Sequence, residues 1–189
     1  VQTCALPISR WFANSLVLND RVYFLGATDA SGTELMTTDG TAAGTYVVKE
    51  TSSGSSTNIS AYSQKLTESN GLIYFQVSNE VWVSNGTAAG TGLLKKLSTR
   101  YPAVPQSFTK VGTKTFFVAY DSYIYYADAP AGRELWVTDG TSAGTSLVKD
   151  IFPGNYLLNG NYVNNDSGIG NLTECAGRAF FSATDGTNG

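Results

Sequence analysis

One twelve-residue phrase recurs three times in the chain, and it constrains the fold more than any other feature. Glu34–Thr45 reads Glu-Leu-Met-Thr-Thr-Asp-Gly-Thr-Ala-Ala-Gly-Thr. Glu80–Thr91 reads Glu-Val-Trp-Val-Ser-Asn-Gly-Thr-Ala-Ala-Gly-Thr, and Glu134–Thr145 reads Glu-Leu-Trp-Val-Thr-Asp-Gly-Thr-Ser-Ala-Gly-Thr. The copies start 46 and 54 residues apart. Spacing of this order marks a tandem array, in which each unit buries its apolar face against the next because it cannot do so alone.

The phrase itself predicts strand, structured turn, strand. Leu135, Trp136 and Val137 suit a pleated, half-buried surface. Asp139-Gly140 ends that run: the Asp carboxylate accepts backbone N–H groups just ahead of it, and Gly supplies a positive φ. Gly144 is a second reversal point, and Leu147-Val148 opens the next strand. The positions identical in all copies are mostly turn positions, so the repeat preserves a backbone shape rather than a reacting group. Glu34, Asp39, Gly40, Glu80, Trp82, Gly86, Glu134, Trp136, Asp139 and Gly140 are therefore read as structural. The glutamates are expected to bond backbone or a neighbouring Thr, and the tryptophans to fill the core between units.

A second feature recurs in step with the first. Hairpins are predicted at Asn19-Asp20, Asn70-Gly71, Gly112 and Gly177, each leading into an aromatic pair: Tyr23-Phe24, Tyr74-Phe75, Phe116-Phe117 and Phe180-Phe181. Each unit then holds four strands, with units at about 20–70, 71–111 and 112–176 and a fourth starting at 177–189. The predicted class is all-β: tandem four-stranded antiparallel units forming a partial β-propeller, with an open β-repeat array as the alternative. A closed propeller takes at least about four blades, and the fourth unit stops where Glu-Leu-Trp would follow.

Glu134-Leu135-Trp136 with Asp139-Gly140-Thr141 resembles the ELWxxDGT repeat family in full. In the second copy Val81 and Asn85 depart from that pattern, and in the first Met36 stands in place of Trp. The resemblance covers nearly the whole chain after about Ser9. It implies a large secreted bacterial protein of many propeller-like blades, hence a secreted or cell-surface location, and it implies no established activity. Val1–Ile8 resembles the translation of a common sequencing adapter and is expected to be non-native, leaving 9–189 as one continuous array.

Composition removes several functions. The chain has no His, which excludes Ser-His-Asp and Cys-His nucleophile systems and His-based metal sites. Cys4 and Cys175 lack zinc spacing. The net charge is −3 with a pI near 4.8 and no basic patch, which disfavours nucleic acid. No apolar run reaches the roughly 18 residues of a membrane span, so no membrane insertion is expected. The low charge content of 14%, with 20 Gly, fits an all-β protein of extracellular type.

The differences between units point to a site. From the aromatic pair to the motif Glu the chain takes 10, 5 and 17 residues in successive units. The third unit thus gains an insertion at Asp121–Arg133, carrying Tyr123, Tyr125 and Tyr126. It gains a second at Asn155–Gly168, carrying Tyr156, Asn161 and Tyr162. In an up-and-down meander both leave from one end of the sheet, opposite the tight turns. Loops on a rigid scaffold are where binding usually lives. Tyr faces stack on sugar C–H groups and amides bond hydroxyls, so a glycan is the first candidate partner, then a protein surface, beside neighbouring repeats of the parent chain. The plainer reading makes Tyr123, Tyr125 and Tyr126 a short strand packed on the next unit.

Glycosidase chemistry needs two carboxylates about 5–10 Å apart. Asp121, Asp128 and Asp29 are the available candidates, and nothing singles them out. Asp29 and Asp185 sit in short oxygen-rich loops, but calcium takes about six to eight oxygens and the full loop pattern is missing. Local turn chemistry is the preferred reading, with no cofactor. The expected function is a non-catalytic extracellular scaffold or adhesion module. A purely structural spacer is the alternative, and a propeller-type glycan-active enzyme the second.

Overall fold

In a computed structural model the described residues are 13–27, 33–51, 65–77, 80–97, 104–120, 132–158 and 161–188. They are all-β, with no helix among them. The first sheet has the order β1 (Ala13–Leu18), β2 (Arg21–Ala27), β3 (Thr33–Thr38), β4 (Tyr46–Lys49). The second holds β5 (Thr67–Ser69), β6 (Leu72–Val77), β7 (Glu80–Ser84) and β8 (Thr91–Lys96) in the same order. The third runs β9 (Gln106–Val111), β10 (Lys114–Tyr120), β11 (Arg133–Thr138), β12 (Ser146–Lys149). Two hairpins follow, β13 (Asn155–Leu158) with β14 (Asn161–Asn164), and β15 (Gly170–Cys175) with β16 (Arg178–Ser182).

The predicted hairpins form, and their turns take the left-handed backbone that the sequence offers. Asn19 and Asp20 have φ of 50° and 59°, and Asn70-Gly71 has 55° and 74°. Two successive positive φ values make the type I′ turn whose twist matches that of the flanking strands. The hairpin strands pair within one sheet: β5 bonds β6, and β9 bonds β10. Sheet divisions therefore fall one strand earlier than the unit boundaries read at 20–70, 71–111 and 112–176. The strand before each aromatic pair opens the sheet that follows instead of closing the one before. A two-residue turn cannot carry the chain from one sheet to another, and this is the physical reason for the shift.

By contact the chain divides into two compact units, Val1–Val77 with Trp82–Gly92, and Ser78–Val81 with Leu93–Gly189. In the first, the core joins Tyr23, Leu25, Leu35 and Val48 to Leu66, Ile73, Phe75 and Val77, with Trp82 packed against it. Alternation along β2 and β6 puts every second side chain on this face. Phe75 and Trp82 rings lie 6.3 Å apart. In the second unit Val118, Leu135 and Ile169 form the buried centre, flanked by Phe116, Ile151, Leu172 and Ala183. Phe117 stacks on Phe108 at 5.0 Å and on Trp136 at 6.2 Å. Each fully buried aromatic or aliphatic side chain of this kind stabilises by about 1.5–3 kcal/mol.

β4 and β12 share one irregularity. Leu35 opposes Lys49 while Met36 opposes Val47, and Leu135 opposes Lys149 while Trp136 opposes Leu147. Val48 and Val148 are thus the extra residues of matched bulges, a device that re-aims a side chain.

Candidate functional site

The repeated turn is a closed hydrogen-bond circuit. Asp39 Oδ1 accepts from the Thr41 N–H at 2.9 Å and from the Thr41 hydroxyl at 2.7 Å. Thr41 Oγ1 accepts the Gly44 N–H at 2.9 Å, and Thr45 Oγ1 donates to the Thr41 carbonyl at 2.6 Å. Thr38 and Thr45 hydroxyls meet at 2.6 Å, and Thr38 Oγ1 accepts the Gly40 N–H at 3.0 Å. The same six bonds recur around Asn85 and Thr87. They recur again around Asp139 and Thr141. Asn85 serves because only one side-chain acceptor oxygen is used, and an amide has one.

Both glycines of the phrase follow from this circuit. Gly40, Gly86 and Gly140 have φ of 91°, 90° and 92°. At Gly44, Gly90 and Gly144 an added Cβ would lie about 2 Å from the side chain of Asp39, Asn85 or Asp139. The bonds from Thr41 and Thr141 hold the Asp39 and Asp139 carboxyls below the usual carboxylate range. In the first copy Arg21 braces the turn, donating to Thr37 Oγ1 at 3.1 Å and to the Gly44 carbonyl while lying over the Tyr46 ring.

The motif glutamates also serve backbone. Glu34 and Glu134 are fully buried. Glu34 Oε2 accepts from the Thr51 N–H and hydroxyl, and Glu134 Oε2 accepts the Ile151 N–H at 3.2 Å. Burial pushes the Glu134 carboxyl up despite that bond, and it pushes Asp150 up as well. Glu134 Oε1 and Asp150 Oδ1 are buried without a hydrogen-bond partner among the described residues. Trp136, as expected of core, is 7% exposed.

The two insertions of the third unit leave from the same end. One joins β10 to β11 and the other joins β12 to β15, and in an antiparallel sheet these connections share an end. Their bases are fastened together. Tyr120 Oη donates to Asp166 Oδ2 at 3.3 Å, and Ser167 Oγ donates to the Arg133 carbonyl at 2.8 Å. A Cβ on Gly132 would fall 1.9 Å from the Asn165 carbonyl oxygen, so backbone passes directly over backbone there. Asp166 Oδ1 caps the Gly168 N–H at 2.8 Å, with Gly168 at φ 61°.

The second insertion is not an irregular loop: Asn155–Leu158 and Asn161–Asn164 pair as the β13–β14 hairpin. Tyr156 is 50% exposed and Leu157 is 62% exposed, whereas Val163, opposite Tyr156, is buried. Asn165 anchors the hairpin, donating from its N–H to the Gly154 carbonyl at 3.0 Å and from its amide to the Pro153 carbonyl at 2.9 Å. Tyr162 and Asn161 are placed on β14 by the register. Tyr123, Tyr125 and Tyr126 lie outside the described residues, as do Asp121, Asp128 and Asp29. The anchor at Asp166 is not among the residues singled out from the sequence, although Asp166-Ser167-Gly168 is a turn sequence from which it could be read. Tyr120 and Leu157 carried no comparable signal.

Asp185 uses its carboxylate locally. Its Oδ1 accepts the Thr187 and Asn188 N–H groups at 2.8 and 2.6 Å, and Oδ2 accepts the Asn188 amide at 3.1 Å. These bonds, led by the Asn188 N–H, pull its pKa down to about 2. Among the described residues no group of three His, Cys, Asp or Glu is placed to hold a metal ion. No helix among them is long and apolar enough to cross a membrane.

Compared with models of known protein families the chain matches none, and compared with curated proteins it finds no relative.

Proposed function

We propose that this chain is a non-catalytic scaffold or adhesion module that binds glycan, or failing that a protein surface, through the insertion-bearing end of its third unit. The observation that carries the reading is the β13–β14 hairpin. It presents Tyr156 and Leu157 to solvent, while Val163 and the Asn165 anchor hold its base. A hydrogen-bonded base beneath an exposed aromatic and an exposed aliphatic side chain suits a recognition element, since less ordering is left to the moment of binding. Tyr123, Tyr125 and Tyr126, read from the sequence as part of the same site, lie in the neighbouring insertion outside the described residues.

The motif carboxylates support a non-catalytic role. Asp39, Asp139, Glu34 and Glu134 each accept backbone N–H groups at repeat-equivalent positions. A reacting carboxylate need occur only once. Location at the cell surface or outside it rests on the likeness of the repeated phrase to ELWxxDGT proteins.

The test is a glycan-array screen of the whole chain, followed by titration of any hit. A saturable hit should weaken about tenfold on Tyr156→Ala, the loss typical of a central aromatic anchor. Thermal unfolding should be unchanged. A blank array from folded protein would favour the spacer reading, and a hit indifferent to Tyr156→Ala would move the site off the hairpin.

A further inference from the structure

Two carboxyl groups face each other at the start of β11. Pairing of β11 with β12 ends at Leu135 opposite Lys149. Continued by one residue, it sets Glu134 opposite Asp150 on one face of the sheet. Directly opposed side chains of an antiparallel pair have Cβ atoms about 4.5–5.5 Å apart, and like charges there destabilise. The Ile151 N–H donates to Glu134 Oε2 at 3.2 Å, so the chain stays alongside Glu134 past the end of β12. Glu134 is 0% exposed. Its Oε1 and the Asp150 Oδ1 are both buried with no donor among the described residues.

The other copies treat this position differently. In the first, Glu50 is exposed, and Thr51 gives Glu34 a hydroxyl donor besides its N–H where the third has Ile151. In the second, Lys96 stands in the place of Asp150. The other neighbours of the third pair leave its charge uncompensated. From β10 the residue opposite Glu134 is Ala119. The segment after β14 brings Ser167, and the adjacent Asp166 is engaged by the Tyr120 hydroxyl and the Gly168 N–H. Arg133 and Lys149, one residue away along the chain, alternate to the other face. Asp150 is thus the charge that Glu134 meets, and neither forms an ion pair among the described residues.

One proton satisfies both oxygens, since a proton on either carboxyl donates to the other. A hard cation fits less well. It takes about six to eight oxygens, whereas both oxygens are closed off from solvent and no third Asp or Glu joins them among the described residues. We propose that Glu134 and Asp150 jointly bind one proton, and that this proton clamps the base of the insertion-bearing end. The reach of the clamp follows from its neighbours. Glu134 holds the Ile151 N–H, and the adjoining Arg133 carbonyl takes the Ser167 hydroxyl at 2.8 Å, the bond that fastens the second insertion to β11. Burial above all raises the Glu134 pKa, and the Asp150 charge adds to it, while burial raises that of Asp150. The Ser167 hydroxyl and N–H favour ionised Glu134 instead. Once the proton leaves, two carboxylates oppose each other, and Glu134 draws the Ser167 hydroxyl away from Arg133. Because the folded pair holds its proton more tightly than the unfolded chain does, its contribution is complete below the unfolded pKa values. It is lost as pH rises through the folded value, which belongs to the pair and not to either residue. The clamp is a property of the free chain, so it stands or falls independently of glycan binding.

The experiment is a pH titration of the full chain, without ligand, read by side-chain carboxyl ¹³C signals and by amide hydrogen exchange corrected for intrinsic rates. The Glu134 and Asp150 signals should move together, at higher pH than those of the exposed carboxylates. As the pair ionises, the Ile151 and Ser167 amides should lose about tenfold in protection, the scale of one hydrogen bond. Asp150→Asn, at a half-buried position, should bring the Glu134 titration down and remove the pH dependence of both amides. Glu134→Gln is the second variant should Asp150→Asn perturb folding, and it should remove that dependence too. Separate titration of the two carboxyls in the ordinary range would overturn the proposal. So would amide exchange that ignores the ionisation, or that keeps its pH dependence in both variants. Calcium that moves the two carboxyl signals would put a cation in place of the proton and overturn it as well.

Discussion

Gly144→Ala should change sign with its background. The three atoms nearest to an added Cβ are Asp139 Cγ, Oδ1 and Oδ2, all at 2.2 Å. Real Cβ contacts do not approach so closely, so the Asp139 side chain must swing away. It then loses the bonds from the Thr141 N–H at 2.9 Å and the Thr141 hydroxyl at 2.7 Å. Each such bond is worth about 0.5–1.5 kcal/mol net, and exposure puts these near the lower end, so together about 1–2 kcal/mol is lost. Against that, Gly→Ala at an accommodating position stabilises by about 0.4–1 kcal/mol through the unfolded chain. The net cost in the wild-type background is therefore about 1 kcal/mol. In an Asp139→Ala background the clash partner is gone and the bonds are already lost, so the same substitution should stabilise by about 0.5 kcal/mol. The double-mutant coupling is about 1–2 kcal/mol. Urea unfolding followed by Trp fluorescence reads it as midpoint shifts at constant slope. Equal effects of Gly144→Ala in both backgrounds would refute the idea that the second motif Gly exists to make room for the Asp.

Three further outcomes follow from the same geometry. Asn85→Asp should alter stability by less than about 0.5 kcal/mol in urea unfolding, because the one oxygen that accepts from Thr87 is retained. Glu134→Ala should cost about 1–3 kcal/mol by leaving the Ile151 N–H without its acceptor. Glu134→Gln should cost less in the same assay, since it keeps an acceptor and removes a buried charge. The chain should also lose stability in acid: Asp39, Asp139 and Asp185 have folded pKa values below the ordinary 3.8, so their contribution is complete above that value. It is lost as pH falls through the folded values, for Asp185 down to about 2. Glu134 has the opposite sign, its raised pKa favouring the folded state as it gains a proton. Acid unfolding curves of wild type and of Asp185→Asn, which cannot titrate, should converge as the pH approaches 2, and a constant gap across that range would contradict the assignment.

Much of this architecture is legible in the sequence because local chemistry decides it. Asn70-Gly71 and the Asp-Gly-Thr turns specify their own backbone, and the continuous apolar runs around Tyr23-Phe24 and Tyr74-Phe75 mark strands buried on both faces. Sheet membership was less legible. The hairpin strand β5 was read as closing one unit, but strand pairing across a two-residue turn assigns it to the next. The β13–β14 hairpin was also missed. Its residues Asn155–Asn164 set Tyr-Leu-Leu and Tyr-Val runs between asparagines and lack the apolar alternation of a half-buried strand; Tyr156 and Leu157 stand in solvent. The fastening of Tyr120 to Asp166 joins residues 46 apart in the chain, a distance at which periodicity gives no information. Likewise the bulges at Val48 and Val148 depend on register, which no single strand's sequence reveals.

The central claim is that the repeated phrase is committed to its own backbone, leaving recognition to the insertions. Native-state hydrogen exchange at the Thr41, Thr87 and Thr141 amides and at Gly44, Gly90 and Gly144 tests it most directly, since each of these N–H groups donates to a side chain of the circuit. The account predicts slowed exchange at all six, alike in the three copies and unchanged by calcium or by a bound glycan. Exchange at random-coil rates, or protection that appears only when a ligand is added, would contradict it.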